Sequence, residues 1–135
     1  ILYLSFVSFP LIGKVIFASI FPFIWIMIYG AQFLQREVRD KTVENIKKVL
    51  HPEGAFVVAE KIYSEDGNMQ NMYEFLNIDY KRKSFSEKEI LDKEQSLRNM
   101  AHYYSEKELV SYYSQHFKVS VFWRNLNFIG LVCRL

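Results

Sequence analysis

A single cysteine, five glycines and three prolines occur in this 135-residue chain, and each scarcity removes a class of function. The lone Cys133 cannot form an intrachain disulfide. Within an apolar strand-like run it is expected to be plain core, which suits a reducing cytoplasm. His51, His102 and His116 lie far apart and have no ligand spacing with that cysteine, so no zinc site is expected. Gly13 and Gly30 are isolated, and no G-x-G-x-x-G or comparable cluster exists to cradle a dinucleotide or phosphate. Charge of one sign is also scarce. Seventeen Lys and Arg against fifteen Asp and Glu leave a net charge of +2, too weak a field to recruit nucleic acid, and no direct nucleic-acid partner is expected.

Charge is absent in one region above all. Lys14 is the only charged side chain among residues 1–35, and every acidic residue lies beyond it. The stretch Val15 to Leu34 is uncharged and mostly apolar, and it meets the length of roughly 20 residues needed for a membrane-spanning helix. Pro22 and Gly30 interrupt it, and neither a basic leader nor a small-residue cleavage pattern makes it a signal peptide. Residues 1–28 are therefore read as an apolar leader, either a transmembrane helix or a disrupted sheet start, and any membrane association would run through 15–34. A functional anchor is not expected, because a spanning helix should end in polar flanks. Fusion of 1–35 to a reporter tests this, and alkali-resistant insertion in one orientation would overturn it.

The chain as a whole is half apolar and 17% aromatic, enough for a packed core. Val43, Ile46, Val49 and Leu50 recur at helical spacing and predict an amphipathic helix over about 37–50. His51-Pro52-Glu53-Gly54 stops it, and Ala55 to Ala59 follows as a strand apolar on both faces, the mark of a buried parallel strand. Met69, Met72, Tyr73, Leu76 and Tyr80 form one helical stripe, expected to face the core. Ser86 with Glu89 and Ser105 with Glu108 match the capping-box pattern and predict two more helix starts. Phe117, Val119, Val121 and Trp123 alternate on one face. Asn125 to Asn127 then turns the chain into Phe128 to Cys133, giving a terminal antiparallel pair.

The order helix, P-x-G turn, buried strand, helices and hairpin resembles the C-terminal half of the Rossmann-like class I S-adenosylmethionine-dependent methyltransferase fold, an α/β architecture whose mixed sheet ends in an antiparallel hairpin. More specific segments are Gln32-Phe33-Leu34, Ala59-Glu60-Lys61, Asp79 to Arg82, Ser86-Glu87 with Glu89-Ile90, and Asn125 to Gly130. In that order they resemble the carboxy-S-adenosylmethionine synthases, from Tyr29 to the C-terminal residue, so residues 29–135 are read as the C-terminal part of such a domain. The resemblance implies a cytoplasmic, homo-oligomeric transferase that uses S-adenosylmethionine and prephenate to make carboxy-S-adenosylmethionine for tRNA wobble-uridine modification. It places Tyr29, Gly30 and Gln32 at the cofactor, and Glu60, Lys61, Tyr80, Arg82 and Arg98 at the substrate. Catalytic residues are not assigned by it, since such transfer depends mostly on positioning.

Two departures accompany the resemblance. The family's glycine-rich loop and ribose-binding acidic residues have no counterpart here, and Ile28 stands where the resemblance implies a cofactor-binding asparagine. The family's carboxylate-binding arginine matches Glu94, while Arg98 lies one helical turn on, along the same face. A truncated or frame-disrupted relative, inactive by itself, accounts for the first departure. A relative that transfers plain methyl groups, or a membrane-tethered non-enzymatic interaction module, are the competing readings. The chain is expected not to bind S-adenosylmethionine measurably, and a saturable calorimetric titration with micromolar affinity would overturn this.

Overall fold

The computed structural model describes the backbone of residues 2–9, 13–20, 24–28, 30–98 and 100–135, and the side chains of 26, 27, 30–98 and 100–135. Strands β1 (Leu2–Phe9), β2 (Gly13–Ile20) and β3 (Ile24–Ile28) lead through a 3-10 turn (Ala31–Phe33) to helix α1 (Arg36–Val49) and strand β4 (Ala55–Tyr63). Helices α2 (Gly67–Arg82) and α3 (Glu87–Arg98) follow, then the short β5 (Tyr104–Ser105), α4 (Glu106–Ser114) and the hairpin β6 (Lys118–Asn125) and β7 (Phe128–Arg134). The sheet order is β1-β2-β3-β4-β7-β6, with β5 against the end of β4. β3 and β4 run parallel, in the register Ile24 to Ala55, whereas β7 joins β4 antiparallel. This mixed sheet with four α-helices is consistent with a partial methyltransferase fold.

The region weighed as a membrane span has strands at 13–20 and 24–28 in its backbone. Among the described residues no helix is long and apolar enough to cross a membrane.

α1 buries Arg39, Val43 and Ile46, and the capping Leu50 continues the same stripe at steps of four, three and four. An arginine thus holds the first position of an otherwise apolar face, whereas Val49 is exposed. Across from it stand Phe56 and Val58 of β4 and Leu131 of β7, and α4 closes the core with Leu109 and Tyr113. Phe56 meets Tyr113 edge to face, at 6.0 Å between ring centroids.

Both capping boxes form as their sequences imply. Ser105 accepts from the Glu108 backbone N–H while Glu108 accepts from the Ser105 N–H, and Ser86 and Glu89 exchange the same pair of bonds. The stripe on α2 does not follow expectation. No residue of α2 is buried, and Met72, Phe75 and Tyr80 are exposed. α2 meets α3 through Lys81 to Glu94 and Arg82 to Glu87, and of its stripe Tyr73 alone is half-buried. In the hairpin, a register shift between Val121 and Trp123 breaks the alternation expected through Trp123.

Candidate functional site at the carboxyl end of β4

In a strand, successive side chains leave on opposite faces, and at the end of β4 this separates Glu60 from Lys61. Open sheets of parallel strands take their ligands at this end.

Glu60 turns into the core. It is 1% exposed, accepts from Arg39 Nη2 at 2.5 Å and accepts from the Tyr113 hydroxyl at 2.7 Å. The Arg39 guanidinium is flanked by the rings of Tyr104 and Tyr112, each 4.8 Å away. Burial pushes the Glu60 carboxyl above the usual range, against the pull of Arg39 and the Tyr113 hydroxyl. Burial likewise raises the Tyr113 phenol, with the Glu60 charge adding to it. The Glu60 Oε1 thus takes two hydrogen bonds inside the protein.

Lys61 faces a cavity of about 430 Å³ between β4, α2 and α3. Its ammonium lies 5.2 Å from the centre of the Tyr103 ring and forms no ion pair among the described residues. Burial lowers its pKa, helped by the Lys81 charge and opposed by Glu94 and Glu74. Glu94 and Arg98 of α3 and Lys81 and Arg82 of α2 line the same space. Lys81 donates to Glu94, and burial, which would raise the Glu94 pKa, is outweighed by that bond and by the charges of Lys81, Lys61 and Arg98. Glu94 is therefore a carboxylate paired with Lys81; Glu74 and Glu87 line the same space, and Lys61 and Arg98 are its two cations without an ion pair among the described residues. Arg82 is partly committed, since its Nε donates to Glu87 at 2.6 Å.

The cavity floor is tied to the hairpin turn. Asn127 is 1% exposed; its backbone carbonyl accepts from the Ile62 N–H at 2.8 Å, and its side-chain oxygen accepts from Asn77 of α2. Its Nδ2 has no acceptor among the described residues. Gln32 fixes the other side: its side-chain oxygen accepts from the Lys61 N–H at 3.0 Å, and its carbonyl accepts from the His102 N–H at 2.8 Å. The sequence thus groups Lys61, Arg82 and Arg98, which the fold brings together. Tyr80 is 72% exposed and does not line the cavity.

Of the residues assigned to S-adenosylmethionine, Tyr29 lies outside the described residues. The Gly30 carbonyl accepts from the Phe33 N–H, and the Gln32 oxygens serve Lys61 and His102, so these acceptors hold the chain's own turn together. No set of residues able to hold a metal ion occurs among the described residues. Tyr103 and Asn127 were not apparent as site residues in the sequence, because their link to Lys61 depends on long-range packing.

No family model matches the chain. Curated proteins do. The chain is 34% identical over 76 residues to the carboxy-S-adenosyl-L-methionine synthase of Shewanella halifaxensis, which covers 56% of this chain and 31% of the relative. The synthase of Shewanella oneidensis is 37% identical over the same shares of the two chains. That of Pseudomonas putida is 30% identical over 112 residues, covering 78% of this chain and 44% of the relative. The chain thus spans less than half the length of these relatives, and their names point to a methyltransferase-like family associated with S-adenosylmethionine.

Proposed function

We propose that this chain forms the carboxylate-receiving wall of a protein of the carboxy-S-adenosylmethionine synthase type, acting on S-adenosylmethionine and prephenate in the service of tRNA modification. The observation that carries this reading is the charge arrangement in the Lys61 cavity. Glu94, where the resemblance implies a carboxylate-binding arginine, is paired with Lys81, while Arg98 one turn on lines the same space. The arginine function is thereby moved along α3 rather than lost. Arg98 offers a planar pair of donors suited to a carboxylate, Lys61 adds a second cation, and Tyr103 supplies an apolar side wall. These residues bind and orient an anion; none of them is asked to move a proton.

Titration of prephenate into the 135-residue chain tests the reading. Saturable binding is expected, and Arg98→Ala should weaken it by about tenfold or more, the equivalent of one charge-assisted hydrogen bond. Absence of binding, or binding indifferent to both Arg98→Ala and Lys61→Ala, would overturn it. Plain methyl transfer is the competing reading, favoured by Glu94 itself, and it requires no preference for a carboxylate-bearing ligand.

A further inference from the structure

A second cavity, of about 430 Å³, opens at the start of α1 and is walled by Leu34, Arg36, Arg39, His102, Tyr103 and Tyr104. No carboxylate lines it. Three features place hydrogen-bond donors in it or at its edge. α1 is 14 residues long, and its capping residue Gln35 provides no side-chain acceptor, so the backbone N–H groups of Arg36, Glu37 and Val38 have no partner among the described residues. An uncapped helix start carries a partial positive charge as well as these free donors. Arg39, 1% exposed, lines the cavity, and its Nε–H has no acceptor among the described residues. Only its Nη2 is engaged, by Glu60 and Tyr113, and the flanking tyrosine rings hold the guanidinium plane in place. Arg36 and His102 add two side chains with no ion pair among the described residues.

A buried donor without an acceptor, such as the Arg39 Nε–H, is rare in folded proteins, and here it borders the same space as the exposed start of α1 and Arg36. We propose that this cavity binds a phosphate group, free or as a monoester, between the start of α1 and the 101–104 segment. A phosphate oxyanion offers several acceptor oxygens in different directions. It therefore answers a helix start and two arginines together, which a planar carboxylate does not. The volume falls in the range of about 300–1,000 Å³ usual for small-molecule sites, which leaves room for a body behind the phosphate against Tyr103 and Leu34. Glu37, the one acidic residue in the first turn, is exposed and does not line the cavity. This site does not depend on the function proposed above, although Tyr103 also walls the cavity of Lys61.

The test is titration of the full 135-residue chain with inorganic phosphate, phenyl phosphate and benzoate, followed by calorimetry and by amide and arginine Nε–H resonances. Saturable shifts at the Arg36, Glu37 and Val38 amides and at Arg39 Nε–H are expected with either phosphate. Arg36→Gln, a substitution at an exposed helix position, should weaken binding by about tenfold or more. Tighter binding of phenyl phosphate identifies a monoester as the ligand, and equal affinity identifies free phosphate. Binding that survives Arg36→Gln unchanged, binding lost instead in Arg98→Gln, benzoate binding as tight as phenyl phosphate, or no saturable shift would each overturn the proposal.

Discussion

Glu60 and Lys61 are neighbours in the chain and opposites in the fold. The Glu60 side has its charge enclosed, with an arginine, a phenol and two flanking rings filling the space around one carboxylate. The Lys61 side has its charges standing around an opening. The first arrangement is a solution to a burial problem, since a buried carboxylate must find partners or lose its charge. The second leaves Lys61 and Arg98 without an ion pair among the described residues. A charged pair in a strand therefore says little about function until each member's face is known.

The comparison breaks most clearly if one enclosed partner is removed. Arg39→Ala should cost about 3–5 kcal/mol, because Glu60 is then buried without its countercharge. Urea unfolding measures this. Arg39→Met combined with Glu60→Leu should recover most of the loss, and failure to recover would mean that the pair does more than satisfy burial.

Tyr113→Phe comes next in size. It removes a hydroxyl that donates to the Glu60 carboxylate at 2.7 Å, and a hydrogen bond to a charged group contributes about 1.5–3 kcal/mol. It also changes the alkaline limit. Because burial raises the Tyr113 phenol in the folded state, the unfolded chain ionises first, near the ordinary value of 10.0, and stability falls as pH rises beyond it. The slope of stability against pH above that value should be smaller in Tyr113→Phe.

On the open side the effects on stability should be small and those on binding large. Arg98→Ala, at an exposed helix end, should change stability by no more than about 0.5 kcal/mol. The Lys81 to Glu94 pair, with both side chains about a third exposed, should contribute about 0–1 kcal/mol, read from Lys81→Met by thermal unfolding. Glu94 is held below its ordinary value of 4.5, so its contribution is present above that pH and is lost as pH falls through its lower folded value. Glu94→Gln should flatten that acid limb. A large stability loss in Arg98→Ala would erase the contrast between the two faces.

The elements of the fold that depend on near neighbours were legible in the sequence. Ser105 and Glu108 are three residues apart, and so their mutual capping can be read directly; the Pro52 and Gly54 turn and the apolar run of β4 are local in the same way. What escaped was set at a distance. Arg39 reads as a surface residue of an amphipathic helix until Glu60, 21 positions on, is seen opposite it. Lys81 and Glu94 sit on different helices, so their pairing shows only in the packing, whereas Arg98 stood out in the sequence as lying one helical turn from Glu94. The stripe of α2 misled for a related reason: periodicity defines a face, but not what covers it.

The irregularity in the hairpin has a consequence for assembly. β6 is the last strand on its side of the sheet, and a regular last strand offers a row of free backbone groups to any passing chain. Here the row is interrupted midway, at the shift between Val121 and Trp123. Phe122, which has no partner in the β7 register, lies over Gly130, where a Cβ would come within 2.8 Å of its ring. Glycine leaves room for the ring, and the ring fills the space that glycine leaves. Irregularities of this kind, one extra residue in a last strand, blunt the row of free backbone groups that a strand arriving from outside would pair with.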